Sequence, residues 1–298
     1  RKRTGYITLE GEDNSKTVCM GAHLDTIGLI IRHITDEGHL EVRQLGGINY
    51  SSIEGEGVTI HTRDGRKYRG MVICKSHSVH VFDDARTAPR DELHMEVILH
   101  EDVKSKEDVM NLGIDHGDVI SIDPHFEYTP SGYVKSRFID DKAAVAALFE
   151  MIAYFKRNNL KPKYRTLLAF PLYEEIGHGG AYVPEEVSEY VALDIGLIGP
   201  DYHGNETTVS ICAKDNYSPY DRGLTNRIIL QAKKANLNYC VDVFYRYGTD
   251  ANAAIRAGNN VYAAAFGMAC INSHGMERCH ISAIEETAKL AIAYALDI

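Results

Sequence analysis

The sequence predicts an α/β domain built from both ends of the chain, interrupted by a small inserted β domain. Buried, strand-like apolar runs lie near residues 18–31 and recur from Thr166 onward, where helical stretches alternate with them. Between about Gly46 and Glu127 the texture changes to short alternating strands separated by turn signals. From Asp140 to Asn158 a strong helical run marks the return to the α/β pattern.

Taken in order, Arg1 to Tyr6 read as the entry to a strand. Val18-Cys19-Met20-Gly21-Ala22 reads as a buried strand and Ile27 to Ile31 as another, with the polar pair His23 and Asp25 lodged between them. Polar groups in such a setting need partners. These strands belong, on this reading, to the α/β domain, which is expected over 1–45 and 128–298, with the insertion over 46–127. Inside the insertion, Asp64-Gly65 supplies a turn between Val58-Thr59-Ile60-His61 and Tyr68 to Cys74. Ser105 and Asp108 have capping-box spacing and Gly113 supplies a stop, so a short helix is expected near Ser105 to Asn111. Beyond Asn158 the expected elements are strands at Thr166 to Leu172, Val191 to Ile195 and Val209 to Cys212, and a helix over Leu224 to Ala235. Strand-like Val241 to Tyr245 and apolar Val261 to Phe266 follow, and a last helix is expected to open at Ser282, with Glu285 completing its capping box. No internal repeat or low-complexity stretch is visible.

Composition narrows the function classes. With 298 residues, 44% hydrophobic and 25% charged, the chain has an ordinary globular balance. No window approaches the roughly 18 consecutive apolar residues a membrane helix needs, and no charged-then-apolar leader opens the sequence. A net charge of −10 argues against a nucleic-acid surface, which needs clustered Lys and Arg to replace phosphate counterions. Six cysteines, at 19, 74, 212, 240, 270 and 279, form no C-x-x-C pair and no framework. Reduced, buried thiols in a soluble cytoplasmic protein are the expectation.

The acidic and imidazole groups that fall at strand ends or helix starts are His23 with Asp25, Asp140, the pair Glu174 and Glu175, Asp194, and His274. Open α/β sheets place ligands at such positions. An H-x-D by itself reads as a satisfied surface histidine, an E-E pair as a solvated loop and Asp194 as a turn cap. In combination, carboxylates at the ends of runs such as Leu167-Leu168-Ala169-Phe170 and Val191-Ala192-Leu193 would be partly desolvated and need compensation, which divalent cations provide. Histidines and carboxylates without cysteine suit zinc, cobalt or manganese at a catalytic site better than a thiolate-bound structural zinc. Each of two cations would take one histidine and one private carboxylate, with a shared carboxylate and a water between them. One carboxylate is then left over for general-base work.

Gly21-Ala22-His23-Leu24-Asp25-Thr26-Ile27-Gly28, Ile139-Asp140-Asp141-Lys142, Tyr173-Glu174-Glu175-Ile176-Gly177, Leu193-Asp194-Ile195-Gly196 and Ser273-His274-Gly275-Met276-Glu277 together resemble, in order, the motifs of the glutamyl aminopeptidase family. These are tetrahedral dinuclear-metal aminopeptidases, some of them labelled endoglucanases. Lys214-Asp215, Pro219-Tyr220-Asp221 and Gly248-Thr249-Asp250-Ala251 extend the likeness over nearly the whole chain. Through Tyr173 to Gly179 and Ser273 to Arg278 the chain resembles a branch associated with small peptide-like osmoprotectants.

The resemblance implies a zinc-exopeptidase-like α/β/α sandwich with an inserted small β-barrel. It implies two divalent metal ions per subunit, His23 and Asp194 on one, Glu175 and His274 on the other, and Asp140 bridging. Glu174 becomes the general base, and Asp25 sits behind His23 to accept its second ring N–H. His280, six residues after His274, is a rival for the last ligand. His178 is a candidate for the substrate pocket, or else a surface histidine, and Thr249 and Asp250 are candidates for the pocket floor, or else packing residues. Members usually carry a helical segment before the first strand, so a leading segment is expected to be missing here.

The activity implied is metal-dependent removal of N-terminal residues from peptides by a two-metal-bridged hydroxide. An N-acyl amino acid or peptide deacylase on the same dinuclear site stays open, as does a non-catalytic metal-stabilised scaffold. Peptide substrates are the expected partners, with no nucleic acid and no membrane. Family likeness implies a homo-oligomer of dimers joined through the β domain, up to a dodecamer.

Overall fold

The computed structural model describes residues 3 to 297. In chain order the strands are β1 Gly5–Leu9, β2 Asp13–Gly21, β3 Gly28–Ile34, β4 Leu40–Leu45, β5 Gly57–His61, β6 Lys67–Cys74, β7 Met95–Leu99 and β8 Val119–Ile122. They continue as β9 Glu127–Tyr128, β10 Tyr133–Ser136, β11 Tyr164–Phe170, β12 Val187–Leu193, β13 Gly196–Leu197, β14 Val209–Lys214, β15 Tyr239–Val243, β16 Tyr262–Cys270 and β17 Glu277–His280. The α-helices are α1 Lys106–Asn111, α2 Ile139–Asn158, α3 Arg222–Lys234, α4 Asp250–Arg256 and α5 Ile281–Leu296. The chain divides into two compact units. One takes the residues up to Thr26, Phe126–Ser273 and the residues from Glu277 onward; the other takes Ile27–His125 and His274–Met276.

The first unit is built on a mixed eight-stranded sheet, ordered β1-β11-β2-β12-β16-β14-β15, with β13 paired to β16. Strands β11, β2, β12 and β16 are neighbours and all parallel, so their carboxyl ends point the same way. Alternate residues of these strands feed two different cores. Val18, Met20, Leu168, Phe170, Val191, Leu193, Ala264 and Phe266 face the cluster that holds Leu148, Leu224 and Leu290 from α2, α3 and α5. Cys19, Leu167, Ala169, Tyr190, Ala192, Ala263 and Ala265 face the other, with Ala251 and Ala254 of α4. A sheet covered on both faces explains why these strands read as unbroken apolar runs. The result is an α/β/α sandwich. A three-stranded sheet, β17-β10-β9, completes the unit.

The second unit is a closed six-stranded barrel, β3-β4-β7-β6-β5-β8, antiparallel throughout. Its interior holds Leu29, Ile31, Leu40, Val42, Val58, Ile60, Val72, Val97, Ile120 and Ile122, all buried. Gly65, with φ of 88°, makes the β5–β6 turn where Asp64-Gly65 is read as a turn. Ser105 caps α1 by accepting the Asp108 N–H at 3.1 Å.

The boundary drawn at residue 46 is corrected by this barrel: β3 and β4, read as part of the α/β domain, are two of its strands. Gly28-Leu29-Ile30-Ile31 is apolar enough to pass for a doubly covered strand, and closure depends on pairing β3 with β8 some 90 residues later, which no local pattern encodes. The capping-box start of the last helix is also revised. His280 caps α5, its ring accepting the Ser282 N–H at 3.1 Å, so the helix begins at Ile281. Among the described residues no helix is long and apolar enough to cross a membrane, and all six cysteines are buried and unpaired.

Candidate metal and catalytic centre

Three parallel strands deliver the central residues. His23 follows β2 by two residues, Glu174 and Glu175 lie on the loop after β11, and Asp194 immediately follows β12. This is the rim of carboxyl strand ends at which open α/β sheets bind ligands. Asp140 comes from the entry to α2, where the backbone at Asp140 (φ −75°, ψ 101°) is not yet helical. Ligand atoms of His23, Asp140 and Asp194 lie within 4.8 Å of one another, and all three residues are buried.

The His23 ring is oriented by its two nitrogens. Nδ1 lies 3.1 Å from the backbone carbonyl of Asp25, which can only accept, so Nδ1 carries a proton. Nε2 is thereby turned to Asp140, with Oδ1 at 3.0 Å, and lies 3.8 Å from Glu174 Oε2. The His23 backbone N–H donates to Asp141 Oδ2 at 3.1 Å. The other oxygen, Asp141 Oδ1, is buried and has no hydrogen-bond partner among the described residues. Asp140 is anchored through its own N–H, donated to Glu277 Oε2 at 3.0 Å. Asp194 donates its N–H to the Phe266 carbonyl at 3.1 Å and accepts the Ile195 N–H at 2.7 Å.

Asp25 acts differently from the expected arrangement. Its carboxylate lies 3.5 Å from His23 Nδ1, behind the closer backbone oxygen, and its two oxygens instead accept the N–H groups of Glu174 at 3.2 Å and Glu175 at 3.1 Å. One side chain thus fixes the backbone of both glutamates.

Electrostatics show how much like charge this cluster gathers. Burial pushes the Asp194, Asp141 and Glu174 carboxyls well above the usual carboxylate range, and neighbouring carboxylates push each further. Burial opposes a charged His23 ring, but contacts with Asp140 and Asp25 and the charges of Asp141 and Glu174 outweigh it and raise its pKa. One imidazole cannot balance so many buried acids. A divalent cation can, and an imidazole with carboxylates and no thiolate is a donor set suited to zinc, cobalt or manganese. The residues present therefore fit a metal.

The remaining candidates are placed as follows. His274 belongs with the barrel unit, where its Nδ1 lies 2.5 Å from the Gly47 carbonyl. His280 is engaged as the α5 cap and with the Ser131 carbonyl at 3.0 Å. His178 stacks on Tyr173 at 4.9 Å. Thr249 and Asp250 are buried; Thr249 caps α4 and meets the Tyr220 hydroxyl at 2.7 Å, while Asp250 accepts the Gly180 N–H at 2.6 Å. Asp141 and Glu277 hold the backbones of His23 and Asp140, contacts that sequence reading missed. Each sits inside a recognised motif, but nothing in a motif tells which backbone N–H a carboxylate will reach.

A family model described as M42 glutamyl aminopeptidase matches residues 4–290. This chain belongs to that family. It is accordingly an aminopeptidase, a hydrolase acting on peptides. Among related proteins, YhfE of Bacillus subtilis (strain 168) is 40% identical over 288 residues, covering 96% of this chain and 83% of its own. The lysyl aminopeptidase of Pyrococcus furiosus is 22% identical over 182 residues, covering 61% of this chain and 50% of its own. Among solved structures, the Pyrococcus horikoshii TET1 peptidase, which can assemble into a tetrahedron or a large octahedral shell, superposes with a TM-score of 0.84 at 26% identity, over 99% of this chain and 87% of its own. The aminopeptidase APDkam598 of Desulfurococcus kamchatkensis gives 0.86 at 22% identity, over 99% and 82%. Both solved structures therefore share the fold seen here.

Proposed function

We propose that this M42 aminopeptidase is a dinuclear metal enzyme that removes residues from the amino terminus of peptides. The supporting observation is the buried convergence of His23, Asp140 and Asp194, backed by two glutamates whose backbone is tied down by Asp25. His23 and Asp194 would hold one cation, zinc or cobalt in preference to manganese. Glu175 and His274 would hold the second, with Asp140 shared. The assignment of His274 rests on its motif, Ser273 to Glu277.

When bound, the cations supply Lewis acidity, lowering the pKa of water and polarising the scissile carbonyl. The chain's own residues do the rest. Glu174 takes a proton as water attacks the carbonyl carbon and returns it to the leaving amine as the C–N bond breaks. Burial raises the proton affinity of the Glu174 carboxylate, which strengthens it as a base. Asp25 orients Glu174 and Glu175, Glu277 anchors Asp140, and Asp141 anchors the His23 backbone. His178 is proposed to line the substrate pocket beside Tyr173.

We further propose a cytoplasmic homo-oligomer joined through the barrel, a reading supported by the unpaired thiols and by the assembly of the TET1 relative. The test is a panel of aminoacyl substrates on chelated protein with zinc, cobalt or manganese added back, run beside a short peptide and its N-acetylated copy. Turnover should return with metal, and the free peptide should shorten one residue at a time from its amino end while the blocked copy resists. Release of acetate or of internal fragments from the blocked copy would favour a deacylase or an endopeptidase instead.

A further inference from the structure

The loop that carries Glu174 and Glu175 runs from the end of β11 at Phe170 to the start of β12 at Val187. Asp25 holds its front. A tight turn follows, with the Gly177 N–H donated to the Glu174 carbonyl at 2.7 Å and the His178 N–H to the Tyr173 carbonyl at 3.0 Å. Directly behind this turn, Gly179 and Gly180 are buried against Asp250, the first residue of α4. The Gly180 N–H donates to Asp250 Oδ1 at 2.6 Å. A Cβ on Gly179 would stand 2.4 Å from Asp250 Oδ2, and one on Gly180 would stand 2.0 Å from the Asp250 carbonyl oxygen. Both glycines are thus needed for this approach, because any side chain would separate the loop from the helix.

Asp250 is itself held. Thr249 caps α4 by accepting the Ala251 N–H at 3.2 Å, and its hydroxyl meets Tyr220, whose own hydroxyl donates to the buried Asp215 at 3.0 Å. Beyond the other end of α4, Asn259 accepts the Val183 N–H and donates to the Ala181 carbonyl, each at 3.3 Å. The rear of the loop is therefore clamped at both ends of one short helix, and the carboxylate bond from Asp250 is the shortest link.

We propose that Asp250 is a positioning residue for peptide hydrolysis: its carboxylate, seated against Gly179 and Gly180, fixes the rear of the catalytic loop while Asp25 fixes the front, so that Glu174 and Glu175 keep their placement. This rests on the reading that those two glutamates do the chemistry. A buried hydrogen bond from a backbone N–H to a side-chain oxygen is costly to leave unmade and so restrains the loop, and misplacement of a catalytic group by about 1 Å costs on the order of 100-fold in rate.

The test compares Asp250→Ala, Asp250→Asn, Gly179→Ala and the Asp250→Ala/Gly179→Ala double variant in the full-length protein. The readouts are kcat and KM on an unblocked aminoacyl substrate, zinc titration after chelation, and amide exchange of residues 174–182 followed by mass spectrometry. Asp250→Ala is expected to lower kcat about 100-fold, to leave KM within about threefold, and to speed exchange across 174–182. Asn keeps an acceptor oxygen and should restore kcat to within about fivefold of the parent. Gly179→Ala, which pushes the carboxylate aside without emptying its site, should reproduce the loss alone and add little to Asp250→Ala, since both act through one contact. The Asn variant and the amide exchange of Gly179→Ala keep the test decisive if Asp250→Ala folds poorly.

An Asp250→Ala protein with parental kcat, unchanged exchange, additive losses, or an Asn variant as impaired as Ala would overturn the proposal. Exchange and zinc titration report on the loop whatever the chemistry. A failure of the Glu174 and Glu175 assignment would show separately, as full activity in Glu174→Gln.

Discussion

Glu174 and Glu175 are adjacent, yet their proposed work differs, and substitutions separate the roles. Glu174→Gln removes a base and leaves every proposed ligand in place, so turnover should fall about 100- to 10,000-fold while elemental analysis still finds both metals. An equally active variant would refute the general-base role. Asp140 stands next to His23 Nε2 and takes its own backbone anchor from Glu277. As the proposed shared ligand it should behave differently: Asp140→Asn would replace a charge felt by both proposed cations with an amide, and both should be lost together on dialysis. Loss of one metal with retention of the other would mean the bridge is misassigned. At this scale the residue types were legible in the sequence, since imidazole and carboxylates at strand ends announce themselves. The partners of Asp25 were not, because a side chain's choice between a ring nitrogen and two backbone N–H groups is made by a loop about 150 residues away.

At the scale of elements, β16 and the end of β12 approach so closely that Gly267 admits no side chain: a Cβ there would lie 1.9 Å from the Asp194 carbonyl oxygen. Backbone, not a flexible side-chain tip, is what it would meet. Gly267→Ala should therefore push the Asp194 segment off its hydrogen bond to Phe266, costing about 1 to 3 kcal/mol of stability as overpacking does, and weakening metal affinity through the displaced ligand. Thermal unfolding and zinc titration check both, and parental values in each would show that the strand end yields without cost. The elements themselves were read well wherever burial and period agree. Helix α2 covers Ile139–Asn158 where Asp140 to Asn158 is read as helical, and α1 is capped by Ser105 as its spacing predicts. Starts and stops fared less well: α5 uses a histidine cap that competes with the Ser282 and Glu285 pattern, because the imidazole of His280 accepts the Ser282 N–H that the pattern gives to the Glu285 side chain.

For the whole molecule, the crowd of buried acids around His23 means that the fold and the metal are linked. A ligand that binds only the folded state stabilises it by about 2.7 kcal/mol at 100 times its Kd. For a unit of this size that corresponds to a rise of roughly 5 to 10 °C in Tm. Calorimetry of chelated protein with and without zinc or cobalt should show this increase, and it should shrink in Asp194→Ala. A Tm indifferent to both metals would remove the metal from the account.

By itself the sequence determined the class of the protein. Apolar periodicity separates strand-like from helical segments, and five ordered motifs carry the ligand-type residues, because burial and donor chemistry are properties of residues and short segments. Only the tertiary structure decided where the barrel begins, which carboxylate restrains which backbone, and why Gly179, Gly180 and Gly267 stand where they do. Those facts depend on contacts between segments roughly 70 to 150 residues apart, and no local pattern records the distance at which two such segments come to rest.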